Sequence, residues 1–471
     1  MLQIPVEDLE IAPGHALEWR VVTATRGAAE PARPRPAASY IQEDHFAVAR
    51  ILDRENVPCP SSVGGSFEIR GPLDREALGA ALLHFLRRHE VLRCVFSVSG
   101  DGLAVDVLDP EEIKLELVDA GTFTSAAGVR AYVHRFMQGT DTLRGPWFVM
   151  GAVEREASTT VFFACDHLVT DGVSTALAVE DIATAYDALS HGRRVELPET
   201  GSYLDFAAQD RARGGSLSPD DARLDYWRGF AERNGGIFPR FPLDLGVDPH
   251  ALYPVVNETH ALLTGAAPDV LDARCRAAEV SLSAGVLAAM AVSLHREGGP
   301  ETYRGLLPVS RRNRRVWAHS MGWYVNTLPV EFSVAGAAAG TAGTVDFAGT
   351  AATVRSALSA MLQSVNVPFV RLPELLTPDR PRDRSWPFAV NFFSFMDFRR
   401  TPGAALHTAR RAHGHIWAER SNGVFLWFHR NDAGLYVNTA YADTPQARRT
   451  MAGLVRTLRL TVENVVRDGT L

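Results

Sequence analysis

The apolar positions of this chain switch repeatedly between a helical and an extended period. Over residues 74–89, Leu78, Ala81, Leu82, Phe85 and Leu86 recur at three- and four-residue spacing, which predicts an amphipathic helix; Asp74 is placed to accept from its first free N–H groups. Residues 159–165 (TTVFFAC) form a nearly continuous apolar run, the pattern of a strand buried on both faces. That run leads into a polar loop, 166–172. Beyond it Val173, Leu177, Ala178, Ile182, Ala183, Tyr186 and Leu189 return to helical spacing, and Gly192 marks the stop. Shorter strands are predicted at 17–23, 67–70 and 91–98. The second half repeats the mixture, with a helix over 281–296, strands over 302–308, 323–332 and 388–395, a strand pair at 423–429 and 434–440 around the turn at 431–434, and a closing helix over 446–466. Residues 28–38 read as an extended connector and 334–343 as a low-complexity loop. The Gly, Ser, Pro and Asp-rich stretch 196–222 predicts a division into a first lobe at 1–200, a connection at 201–222 and a second lobe at 223–471.

Composition narrows the setting. With 471 residues and 46% hydrophobic content, two globular units are expected, at roughly 100–200 residues each. Lys and Arg number 48 against 55 Asp and Glu, a net charge of −7 with both signs scattered. Nucleic acid and anionic membrane each require a concentrated basic face, so neither is expected as the main partner. Cys59, Cys94, Cys165 and Cys275 stand far apart, without metal-ligand spacing, which suits a reducing cytoplasm. The opening MLQIPVED lacks a secretory pattern, and no apolar run reaches the ~18 residues that span a bilayer. The expectation is a cytoplasmic monomer with no stable membrane insertion.

The candidate chemistry lies in the loop Asp166-His167-Leu168-Val169-Thr170-Asp171-Gly172. A strand end fixes the backbone of His167. An imidazole with a pKa near ~6.5 takes a proton at neutral pH and returns it later, which makes His167 a candidate general base. Asp171 has two readings: it orients the imidazole, as in a triad, or it turns away and fixes the loop by pairing with an arginine. Gly172 permits a turn that a β-carbon would obstruct, and the helix that follows points its positive end at the loop, favouring an oxyanion there. By spacing alone, a histidine satisfied within a tight turn fits equally well. There is no GxSxG, GxGxxG or GxxxxGK[ST], so neither a serine-hydrolase elbow nor a dinucleotide or P-loop site is indicated. His413 and His415 follow Arg410 and Arg411, lack a carboxylate or Cys to complete a ligand set, and read as surface histidines. Arg311, Arg312, Arg314 and Arg315 form either a phosphate binder or a solvated loop.

Seven segments, in order, resemble the motifs of the condensation domains of nonribosomal peptide synthesis and their stand-alone acyltransferase relatives, the PapA-type enzymes. Ser39-Tyr40-Ile41-Gln42-Glu43 resembles the opening SxxQ element. Arg88-His89-Glu90-Val91-Leu92-Arg93-Cys94-Val95-Phe96 is similar to RHExLRTxF, and its residue types suit helix-to-strand packing. The 166–172 loop resembles HHxxxDG, and Tyr203-Leu204-Asp205-Phe206-Ala207 resembles YxDFA. Met321-Gly322-Trp323-Tyr324-Val325-Asn326-Thr327-Leu328 resembles (I/V)GxFVNTL, Asn366-Val367-Pro368-Phe369 the (H/N)QDxPFE element, and Arg382-Asp383-Arg384-Ser385 the start of RDxSRNPL. The resemblance implies an α/β fold of two chloramphenicol acetyltransferase-like lobes, forming a V-shaped pseudo-dimer with a tunnel at their interface. It implies that His167 deprotonates the acceptor and that Asp171 pairs with an arginine. Within Pro308-Val309-Ser310-Arg311-Arg312, similar to PVxGR, Arg312 occupies the arginine position and Arg311 replaces the glycine. Asp166 stands where the longer motif has its first histidine, which favours a hydroxyl acceptor over an amine. Asp166, Trp323 and Asn326 are candidates for the tunnel wall. The implied reaction moves an acyl group from acyl-CoA or an acyl-carrier protein to a small-molecule acceptor, without a metal or redox cofactor. Amide-forming condensation in trans and a non-catalytic carrier-docking module are the alternatives.

Overall fold

The computed structural model describes residues 1–23, 36–57, 62–99, 102–334, 346–378 and 390–471. In chain order the first elements are β1 (Leu2–Ile4), β2 (Gly14–Thr23), α1 (Tyr40–Arg54), β3 (Ser62–Arg70), α2 (Arg75–Arg88), β4 (Cys94–Ser99), β5 (Gly102–Val107), β6 (Ile113–Phe123), α3 (Ala126–Met137), β7 (Phe148–Glu154), β8 (Ser158–Asp166), α4 (Gly172–Ser190), α5 (Tyr203–Gly215) and α6 (Asp225–Asn234). There follow β9 (Tyr253–Thr264), α7 (Ala267–Ala277), α8 (Leu282–Arg296), β10 (Thr302–Ser310), β11 (Val325–Ser333), α9 (Phe347–Leu362), α10 (Leu372–Leu376), β12 (Asn391–Asp397), β13 (His413–His415), β14 (Arg420–Ser421), β15 (Val424–Arg430), β16 (Gly434–Ala442) and α11 (Pro445–Asp468). Two compact units emerge, each with its own seven-stranded sheet: residues 1–215 with 310–325 and 398–417, and residues 216–309 with 326–397 and 418–471.

In the first unit the strand order is β1-β13-β3-β8-β7-β2-β6. The central strand β8 pairs antiparallel with β3 and β7. Phe162 and Ala164 pack with Val129, Val133 and Met137 of α3. A Cβ on Gly65 would meet both Phe163 and Thr175 of α4, so Phe163 serves the opposite face. Burial on both faces is why the strand reads as an unbroken apolar run. The helix α4 is buried nearly all round and packs against α2 and β3, which explains its weak amphipathicity. On α2 the buried residues Leu78, Ala81, Leu82, Phe85 and Leu86 are those with helical spacing, and the Asp74 carboxylate accepts from Ala77 N–H at 2.9 Å.

In the second unit the order is β11-β10-β12-β15-β16-β9-β14. The hairpin β15–β16 turns where the Asn431 side-chain oxygen accepts from the N–H groups of Ala433 and Gly434. The helix α11 packs on α7, α8 and β9, and α8 is enclosed by its own core. No single helix among the described residues is long and apolar enough to cross a membrane; α7 and α8 together have the length and composition but are bent by 97°.

Three expectations change. The predicted connection at 201–222 contains the helix α5, whose Tyr203, Phe206 and Ala207 are buried in the first unit. The units are not contiguous halves, because 310–325 and 398–417 return to the first one. The strand start expected at 388 and the Arg382–Ser385 motif fall outside the described residues, as do Cys59, 335–343 of the low-complexity loop and 28–35 of the connector.

Candidate functional site

The site is built where β8 ends. Asp166 is its last residue, and residues 167–169 form a single 3-10 turn before α4 begins. The His167 Nδ1 donates to the Thr170 carbonyl at 3.3 Å. That bond fixes the tautomer and leaves Nε2 with its lone pair, the form a general base requires. Trp323 lies across the imidazole, 4.6 Å between centroids with the planes 31° apart. Burial pushes the His167 imidazole down, to about 4, and the neighbouring His45 acts in the same direction; Asp166, the Thr170 carbonyl and Asp171 oppose them. His167 is therefore unprotonated throughout the neutral range.

Asp171 faces away from that imidazole. Its Oδ1 accepts from Ser174 N–H and from Arg312, both at 2.8 Å, and its Oδ2 accepts from Tyr324 N–H at 3.0 Å. Arg312 also donates to the carbonyls of Trp317 and Ser320, at 2.6 and 2.5 Å, and to the Ser174 hydroxyl at 2.8 Å, while its guanidinium lies 4.3 Å over the Tyr324 ring. Of the two readings for Asp171, the arginine pair is the one found. Arg311 pairs with Asp210 of α5 and contacts the Phe206 ring, which separates the neighbouring arginines by partner. Asp171 caps α4 through Ser174 N–H, which places a carboxylate at the helix start. Gly172 is the first residue of α4 and is not among the glycines with positive φ, so no left-handed turn explains it.

The remaining motifs clamp this loop. Ser39 and Gln42 form a capping box at the start of α1, and Gln42 Nε2 donates to the Leu168 carbonyl at 2.6 Å. The Ser39 and Tyr203 hydroxyls lie 3.1 Å apart, and Tyr203 donates to the Trp323 carbonyl at 3.1 Å. Gly322 has φ of +147°, and a Cβ there would come within 2.2 Å of the Tyr203 ring. Arg88 and His89 both reach Asp181 of α4 at 2.8 Å, and the Glu90 carboxylate accepts from Ser202 and from Leu204 N–H. The Arg-His-Glu segment thus ties helices together and stays outside the chemistry.

Asp166 and Asn326 each make hydrogen bonds of their own. Asp166 is 1% exposed: Oδ1 accepts from Leu168 N–H at 2.8 Å and lies 3.2 Å from His45 Nε2, and Oδ2 accepts from Thr142 at 2.5 Å. Burial alone would raise its carboxyl, but His45, Thr142 and the Leu168 N–H together hold it below the ordinary value. Asn326 belongs to the second unit, where its amide donates to the carbonyls of Val365 and Val367 and accepts from Phe369 N–H. It pins the Asn-Val-Pro-Phe segment. Of the three tunnel-wall candidates, Trp323 packs its ring on His167. Of the HxH pair, His413 is half-buried and His415 is not on the surface: it is 0% exposed in β13 and bonds Ser66 at 2.8 Å. Sequence reasoning missed His45 and Thr142 altogether. His45 stands three residues after Gln42, the same-face spacing of a helix, and that was its only signal.

PapA1 of Mycobacterium tuberculosis, a 2'-acyl-2-O-sulfo-trehalose (hydroxy)phthioceranyltransferase, is 27% identical over 99% of this chain and 89% of its own length. The acyltransferase PapA3 of the same species is 27% identical over 98% of this chain and 96% of its own. A solved PapA2 acyl transferase superposes with a TM-score of 0.88 at 22% identity, over the whole of both chains. The condensation-domain family model matches residues 55–470, and the chain belongs to that family.

Proposed function

We propose that the protein transfers an acyl group from a thioester, acyl-CoA or an acyl-carrier protein, to a hydroxyl of a small-molecule acceptor, with His167 as the general base. The observation that carries this reading is the His167 imidazole itself: Nδ1 is held by the Thr170 carbonyl, Nε2 has no hydrogen-bond partner among the described residues, and burial keeps the ring neutral. Nε2 takes the acceptor proton as the oxygen attacks the thioester carbonyl. The C–O bond forms, the tetrahedral oxyanion collapses with cleavage of the C–S bond, and the imidazolium returns its proton to the thiolate. No covalent acyl-enzyme forms. Asp171 and Arg312 hold the loop rather than relay protons, since both carboxylate oxygens are occupied. The PapA1 relative is named for a sulfated trehalose, so sugar and polyol hydroxyls are the first acceptors to test.

The test is a mass-spectrometric screen of acyl-CoA and acyl-carrier donors against polyol, simple alcohol and amine acceptors, with His167→Ala as control. Ester product formed by the wild type and lost in the variant is expected. Product only with amines would replace the hydroxyl reading, and equal product from both proteins would remove His167 from the mechanism.

A further inference from the structure

A second imidazole lies beside the first. His45 projects from α1, one helical turn after Gln42, so a single face of α1 reaches the loop twice: Gln42 at the Leu168 carbonyl and His45 at Asp166. The His45 side chain is 15% exposed. The Asp166 carboxylate can only accept, so His45 presents Nε2–H to it. Nδ1 of His45 makes no hydrogen bond among the described residues. Trp323 is shared between the two histidines: its ring meets His45 edge-on at 5.3 Å and 79°, and meets His167 at 4.6 Å. The imidazole centroids are 6.4 Å apart.

Resting on the acyltransfer reading, we propose that His45, oriented by Asp166, is a positioning residue of the site that holds the Trp323–His167 stack and sets a second imidazole 6.4 Å from the first, where a charge on it opposes one on His167. The charged and titratable groups around His167 divide by sign. His45, from α1, disfavours a proton on it; Asp166, from the end of β8, and Asp171, at the start of α4, favour one. Asp166 is itself occupied by His45, Thr142 and Leu168 N–H, and Asp171 by Arg312, which leaves neither carboxylate free to turn to His167. The position where the longer motif has a histidine carries Asp166 here, and the imidazole arrives from another element.

Histidine Cε1–H NMR titration reads this without any substrate, with the His167 signal assigned as the one lost in His167→Ala. In the wild type His167 is expected to stay unprotonated down to about pH 5. In His45→Gln its midpoint should rise by about one pH unit, the shift expected when a like charge at this distance is removed. His45→Lys, which places a cation at that position, should not show this rise. The same ordering should appear in the acidic limb of kcat/KM. An unshifted His167 midpoint in folded His45→Gln overturns the proposal. So does an equal shift in the Gln and Lys variants, since loss of shape rather than charge would then be the cause. If no thioester is turned over, the reaction assignment fails while the titration still decides the role of His45.

Discussion

Asp171 commits both carboxylate oxygens away from His167, and that single choice separates structure from chemistry in the loop. Its side chain and that of Arg312 are 3% and 6% exposed. Removing one partner leaves the other charge buried, which costs roughly 3–5 kcal/mol. Asp171→Ala is therefore expected to unfold at markedly lower urea concentration than the wild type, and an unchanged midpoint would show that the pair does not anchor the loop. The residues legible from sequence were those whose meaning is local: His167 at a strand end, Asp171 before a helix, Arg312 in a segment of known pattern. The bonds of Asp166 were not legible because its partners His45 and Thr142 come from elsewhere in the chain, 121 and 24 residues away. Those of Asn326 were hidden for the same reason, since the carbonyls it grips lie about forty residues further on.

At the scale of elements, the loop is held by α1 as well as by its own strand and helix. Gln42 is buried and donates to the Leu168 carbonyl. Gln42→Ala would leave that carbonyl without its partner, at a cost of about 1–3 kcal/mol. The expected signature is local: faster amide exchange at 168–170, with little change in β3 or β8, as for a low-free-energy opening confined to one segment. Exchange that rises evenly through the first unit would mean that α1 supports the whole sheet instead. The strand β8 and helices α2, α4 and α11 were readable because their burial is continuous or strongly periodic. The helix α1 was not, because only Gln42, Phe46 and Leu52 along it are buried. The helix α5 was hidden by flanking Gly, Ser and Asp residues that resemble a linker.

At the scale of the molecule, the chain forms two compact units whose segments interleave, and this was not legible because a chain that leaves a unit and returns to it carries no local mark of doing so. Both units bury neutral histidines. Desolvation pushes His415 and His429 down to about 3 each. Their folded values lie below the unfolded one, so the unfolded chain binds more protons once the pH falls below about 6.5. Stability is complete above that pH and declines toward about pH 3, by roughly 2–3 kcal/mol per pH unit from these two groups together. Urea midpoints should therefore drop between pH 7 and pH 5, less steeply in His415→Gln; a pH-independent midpoint would contradict the burial of these rings.

The central claim is that His167 is the base of an acyl transfer, and the most direct test is the turnover of folded His167→Ala. With a thioester donor and hydroxyl acceptor that the wild type converts, kcat should fall by roughly 10²–10⁴ while the melting temperature stays close to that of the wild type. Undiminished turnover by the folded variant would contradict the account.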